Sequence, residues 1–199
     1  MTLERIEVSA PFLHWRRILR EWVRLNKRIY KATKGEFAPY SYRERPNIGV
    51  MACAAIKAGW AALEECCSEK NAGFNSGRVD LTLLRNGFHE KIEAKFTCDG
   101  FRELKGKIKS RHDSAKTDAA ALARSPNSRN LALTFIVPRV SDYDLKVFQE
   151  AVLDLMDHCM RLSPAIFGSV FPGKAPCRSV AKKAQQMTTA GIIVIGDAA

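Results

Sequence analysis

The chain has 199 residues, 46% of them hydrophobic, with 32 Lys and Arg against 21 Asp and Glu and a formal net charge of +11. That length suits one domain, the apolar content excludes wholesale disorder, and no run approaches the ~18 apolar residues of a membrane span. Met1–Ala10 carries Glu4, Arg5 and Glu7 where a secretory leader would be apolar, so a soluble cytoplasmic protein is expected.

Residues 11–34 read as an amphipathic helix. Trp15, Leu19, Trp22, Leu25 or Asn26, and Ile29 recur at helical spacing, with Arg16, Arg20, Arg24, Lys27 and Lys31 on a neighbouring stripe. Residues 1–46 hold 11 Lys and Arg against 5 Asp and Glu, so they are expected to form a basic helical arm ahead of a single α/β domain over 47–199. Two tryptophans on one stripe point to packing against that domain; the other use of such a helix is docking to a membrane surface or a partner. A second helix is expected over residues 48–70, with Ile56, Trp60, Leu63 and Cys67 as its apolar stripe and Asn71-Ala72-Gly73 as its stop. Arg78–Leu84 and Glu90–Thr97 then alternate as strands about Asn86-Gly87, a strong hairpin signal.

Arg102, Lys105, Lys107, Lys109, Arg111 and Lys116 make a second basic stretch. Ser114–Arg124 reads as an alanine-rich helix stopped by Ser125-Pro126, and Leu131–Val137 as a buried strand ended by Pro138. Tyr143–Leu162 reads as a helix with Leu145, Phe148, Val152, Leu155, Met156 and Cys159 on its apolar face. Beyond it only Ile192–Ile195 has a clear pattern, that of a strand. The six cysteines show no CxxC spacing, and His14, His89, His112 and His158 complete no zinc pattern, so buried free thiols are expected.

The hairpin carries the chemistry. A two-residue Asn86-Gly87 loop sets Arg85 against Phe88, which brings Asp80 opposite Glu93 and Arg78 opposite Lys95. Val79, Leu81, Leu83, Ile92, Ala94 and Phe96 then form an apolar face, and Asp80, Thr82, Glu93 and Lys95 fall on the other. Directly opposed carboxylates repel unless a cation bridges them or one keeps its proton. Hard oxygen ligands at such a spacing suit Mg²⁺ or Mn²⁺, and a lysine two residues on can act on an attacking water.

Asp80 followed across a hairpin by Ile92-Glu93-Ala94-Lys95 resembles the PD-(D/E)xK nuclease superfamily, whose fold is restriction-endonuclease-like. The resemblance covers about residues 48–138, with Val79 where the family carries proline. It implies an α/β core of helix, mixed sheet with a central hairpin, helix and strand, behind the N-terminal basic arm. It implies that Asp80 and Glu93 hold the metal with the Ala94 carbonyl, that Lys95 assists the water, and that an acid on the upstream helix completes the set. Glu64, one turn beyond Trp60, is the residue chosen for that last role over Glu65. The triplet alone is weak, since Glu103-Leu104-Lys105 also fits it; the hairpin register gives it weight.

The expected function is a metal-dependent nuclease acting on DNA, with Mg²⁺ or Mn²⁺ as cofactor. Arg16, Arg20 and Arg24 of the arm and Arg102, Lys105, Lys107, Lys109 and Arg111 are the expected phosphate contacts. A homodimer is compatible with this reading. The alternatives are a non-catalytic nucleic-acid-binding module on the same fold, and a peripheral membrane or partner-binding protein that uses the Trp15/Trp22 helix.

Overall fold

The structure is a computed structural model that describes residues 3–35, 37–69, 76–140, 145–172, 177–178, 188–189 and 191–199. Its first strand, β1 (Leu3–Val8), leads through a short 3-10 turn at Ala10–Phe12 into helix α1 (Trp15–Ala32). Trp15, Ile18, Leu19, Trp22, Val23 and Asn26 form the buried face of α1, and both tryptophans are 0% exposed. Covering side chains of that size stabilises by roughly 1.5–3 kcal/mol or more each, which outweighs a free basic arm. Residues 1–46 are therefore not an arm: β1 pairs with a strand near the C-terminus, and α1 shares the main core. The same burial removes both tryptophans from any membrane contact. Among the described residues no helix is long and apolar enough to cross a membrane.

Helix α2 runs Glu44–Lys57 and stops well short of residue 70. Gly59, at φ +90°, takes the left-handed conformation that closes a helix, and the Trp60 amide donates back to the Ala55 carbonyl at 3.0 Å. The chain then leaves as strand β2 (Ala61–Glu69), so Trp60, Leu63 and Cys67 are not a helical stripe. Strands β3 (Ser76–Arg85) and β4 (Phe88–Gly100) follow, joined at Asn86 and Gly87, both at positive φ as a primed hairpin turn requires. Thr82 pairs with Lys91 and Arg85 with Phe88, the register expected.

Helix α3 covers Phe101–Ala120, so the whole basic stretch is helical and only its tail matches the expected alanine-rich helix. Strand β5 (Ser128–Val140) continues past Pro138, because that proline falls between the last pairing to one antiparallel neighbour, at Ile136, and the first to another, at Arg139. Helix α4 (Leu145–Met160) buries Phe148, Val152, Leu155, Met156 and Cys159 as expected; Leu145's side chain and Tyr143 lie outside what is described. Strands β6 (Ile166–Phe171), β7 (Cys177–Arg178), β8 (Thr188–Thr189) and β9 (Ile192–Ala198) finish the chain.

The protein is an α/β fold around one mixed sheet of order β1-β6-β9-β5-β4-β3-β2. Among the described strands only β4 and β5 pair in parallel, with α3 as the crossover between them. Alternation along the strands makes two cores. Leu131, Leu133, Phe135 and Val137 of β5 face α1 and α2, whereas Ile136, with Ile193 and Ile195 of β9, faces α3 and α4. Among the cysteines whose side chains are described, only Cys159 is buried, and burial pushes its thiol up to about 12. Cys53, Cys66, Cys67 and Cys98 are free but exposed or half-buried, and Cys177's side chain lies outside what is described.

Two buried polar clusters tie the layers together. Glu90, 0% exposed, accepts from Trp15 Nε1 at 2.9 Å, lies 3.0 Å from His14 Nε2, and has the Arg129 guanidinium at 3.7 Å. A buried carboxylate needs such partners, and these pin α1 to β4. On the opposite face His112 of α3 bonds Thr134 at 3.0 Å and Asp197 at 2.9 Å. Burial opposes the Asp197 charge, yet the His112 bond and the Ala165 amide outweigh it and hold its carboxyl below the usual range. Thr134 is fully buried, so this Thr-His-Asp series joins helix to sheet.

Candidate active site

The hairpin opens into a fork. Pairing between β3 and β4 is present from Arg85–Phe88 to Leu81–Ile92, while β3 runs on against β2 and β4 runs on against β5. In an unbroken hairpin of this register Val79 and Ala94 would exchange backbone hydrogen bonds. Instead the Ala94 amide donates to Asp80 Oδ2 at 2.7 Å. The Asp80 carboxylate therefore fills the crotch of the fork, rather than standing beside Glu93 on a continuous polar face. Opposite it, Glu65 takes φ +53°, and Glu65–Asp80 is the one rung missing between Glu64–Leu81 and Cys66–Val79 in the β2–β3 ladder.

Glu93 and Lys95 lie on the β4 arm, on the face covered by α3. Glu93 is 7% exposed, and Lys95 Nζ donates to Asp118 of α3 at 2.5 Å. Burial works against the Lys95 ammonium. The Asp118 bond and the charges of Asp118, Glu44 and Asp80 outweigh it and raise its pKa above the ordinary lysine value. This lysine is held protonated at neutral pH, as a hydrogen-bond donor and positive charge and not as a base.

Glu64, expected on a helix, stands on β2 paired with Leu81. Its carboxylate reaches toward Gly49 of α2, on the rim of an apolar groove. The upstream helix does bring an acid to the fork, but it is Glu44, the first residue of α2. Burial raises the Glu44 pKa, the Asp80 charge raises it further, and the charges of Lys95, Arg111 and Asp118 also act on it. Glu44, Asp80, Lys95, Arg111 and Asp118 thus form one electrostatic unit. Glu44 and Asp118 escaped the sequence reading. An acid at a helix start is common, and Glu44 could be chosen only once Gly59 is recognised as the end of that helix.

Among the described residues no three His, Cys, Asp or Glu side chains are gathered closely enough to hold a metal ion as they stand. In kind, the donors suit a hard cation: the Asp80 charge raises the cost of charging Glu44, and Glu93 adds a buried carboxylate. Holding an ion would require these acids to draw together.

Of the expected phosphate contacts, Arg16, Arg20 and Arg24 lie on the exposed side of α1, and Arg24 pairs with Glu21 at 2.5 Å. On α3, Lys105 pairs with Asp154, Lys107 with Asp99, and Lys109 with Asp113 at 2.7 Å. Arg102 and Arg111 are exposed on the same helix, and Arg111 is the one whose charge reaches Glu44. No family model, curated protein or solved structure matches the chain.

Proposed function

We propose that the protein is a metal-dependent nuclease with a restriction-endonuclease-like core, hydrolysing phosphodiester bonds in DNA. The observation that carries this reading is the fork at Asp80, whose carboxylate takes the Ala94 amide between Glu93 and Lys95 and whose charge acts on both Lys95 and the helix-borne Glu44. Asp80, Glu93, Glu44 and the Ala94 carbonyl are the oxygens that would hold Mg²⁺ or Mn²⁺. Such an ion, when bound, supplies a water of lowered pKa and positive charge toward the phosphate.

The chain's own residues then divide the work. Lys95, kept charged by Asp118, is suited to hydrogen-bond the phosphate oxygens and offset the charge that develops on them. Arg111, on the same side, steers the backbone toward the fork. Glu64 has no part in this scheme, and its role passes to Glu44.

The test is cleavage of supercoiled plasmid and single-stranded DNA with Mg²⁺ or Mn²⁺, with Ca²⁺ as a binding-only control. Asp80→Asn, Glu93→Gln and Glu44→Gln are each expected to slow cleavage by about 10²-fold or more, and Lys95→Ala by about 10²–10³-fold. Glu64→Gln should leave the metal dependence of cleavage unchanged. Cleavage that survives in both Asp80→Asn and Glu93→Gln would place the chemistry elsewhere. A wild type that binds DNA and never cuts it would favour a non-catalytic binding module.

A further inference from the structure

The approach to α2 carries a surface that the cleavage scheme does not use. Leu25 and Ile29 of α1, Phe37, Pro39 and Tyr42 of the connecting segment, and Pro46 and Val50 of α2 line an open groove of about 480 Å³. That volume lies within the roughly 300–1,000 Å³ of small-ligand sites, and the lining is almost wholly apolar. Phe37 and Tyr42 are 52% and 39% exposed, their rings nearly parallel at 12° with centroids 6.3 Å apart. The pair is braced from behind, since the Thr33 hydroxyl donates to the Phe37 carbonyl at 2.9 Å and the Tyr42 amide to the Pro39 carbonyl at 3.1 Å. Two braced aromatic rings facing water form a stacking platform, not a stray contact.

The surroundings are cationic. Arg28 lies one turn along α1 from Leu25, Lys34 precedes the aromatic pair and Arg43 follows it, all three exposed, while Arg45 beyond them is paired with Glu65. The carboxylate at the groove, Glu64, can accept from a ring or exocyclic N–H. An apolar slot with stacked rings, a positive rim and one inner acceptor matches a flat heteroaromatic ring attached to a phosphate chain. A lipid chain would leave the ring pair and the acceptor without purpose. Arg43 sits at φ +48°, a costly conformation for arginine, at the sharp turn that joins Tyr42 directly to Glu44. The groove and the fork are therefore neighbours along three consecutive residues.

We infer that this groove binds an unpaired base of single-stranded DNA, stacked on Phe37 and Tyr42, and so presents the adjoining backbone to the Glu44–Asp80 fork. This rests on the nuclease reading for the use made of the bound strand. The base site itself is testable without cleavage.

The experiment is fluorescence anisotropy in EDTA, where nothing is cut, with a labelled mixed-sequence 15-nucleotide single strand. Companion probes are the same strand with abasic residues, its duplex, and the RNA of the same sequence. Phe37→Ala with Tyr42→Ala is expected to weaken single-strand binding by about tenfold or more, because base stacking on aromatic rings contributes at that level per base. Duplex and abasic affinities should change less than about twofold, and Tyr42→Phe should bind like the wild type. Both positions are exposed, so the variants should melt as the wild type does. Unchanged single-strand affinity, an equal loss on duplex and abasic probes, or no single-strand binding at all would overturn the inference. Tighter binding of the RNA would overturn the assignment to DNA. Ring-dependent binding by a wild type that cuts nothing with Mg²⁺ would sink the nuclease reading and leave the base site standing; cleavage with no dependence on the rings would do the reverse.

Discussion

Burial and the Asp80 charge both make the Glu44 carboxylate costly in the folded protein, and that cost has a measurable pH signature. A glutamate whose folded pKa lies above its unfolded value binds more protons when folded, so stability falls as pH rises from about the ordinary value of 4.5 through the folded pKa. Glu44→Gln removes the titration while keeping the shape. It should raise the melting temperature at pH 7 and leave it nearly unchanged at pH 4, the opposite of the usual salt-bridged carboxylate. Thermal melts of the two proteins across that range check the sign. A stabilised protein with lost cleavage would mark Glu44 as a residue kept for chemistry at the expense of stability. At Asp80, by contrast, the Ala94 amide already compensates the charge, so Asp80→Asn should move the melting temperature little in either direction.

At the scale of single elements, two glycines separate what a helix needs from what ends it. Gly59 holds φ +90° at the end of α2, with nothing within 4 Å of where a Cβ would stand, so only its backbone conformation demands glycine. Gly106 sits inside α3 with equally open space and ordinary helical angles. Gly59→Ala should therefore cost about 1 kcal/mol, and Gly106→Ala should stabilise by about 0.5–1 kcal/mol. Urea melts of the two variants measure opposite signs for the same chemical change. The expected 48–70 helix failed at Gly59, because a periodic apolar stripe over Ile56, Trp60, Leu63 and Cys67 carries no information about backbone handedness between them. The basic stretch from Arg102 failed in the other direction. Its apolar positions, Leu104 and Ile108, are a turn apart but are outnumbered by the lysines and arginines around them.

Across the whole molecule the charge is spread over both helical layers rather than gathered in an arm. DNA affinity should fall steeply with salt, since each phosphate neutralised on a duplex contributes about 0.9 to the slope of log K against log salt. The ion pairs rank the contributors. Lys105, Lys107 and Lys109 already face Asp154, Asp99 and Asp113, so their removal should change the slope little. Arg111→Ala, beside the fork, should lower the slope by about one and weaken binding on any sequence. Filter binding or anisotropy over a salt series measures both. A larger loss from Arg16, Arg20 and Arg24 together than from Arg111 would move the DNA path to the α1 face.

The sequence by itself determined the parts that depend on near neighbours. The Asn86-Gly87 turn dictated the register of β3 and β4, because only a two-residue loop suits two adjacent positive-φ positions, and the α1 stripe dictated which tryptophans are buried. The same register predicted Asp80 directly across from Glu93, and there it failed, since β3–β4 pairing ends at Leu81–Ile92. Only the tertiary structure decided that β3 and β4 part at Asp80, because the parting is made by β2 and β5 drawing the two strands into different neighbours. It alone decided that β1 and α1 belong to the core, since their partners β6 and β4 lie far along the chain. The acid that meets the fork was decided there too. Glu44 is 36 residues from Asp80 in sequence, and no local pattern encodes a contact that exists only when α2 is laid across the sheet.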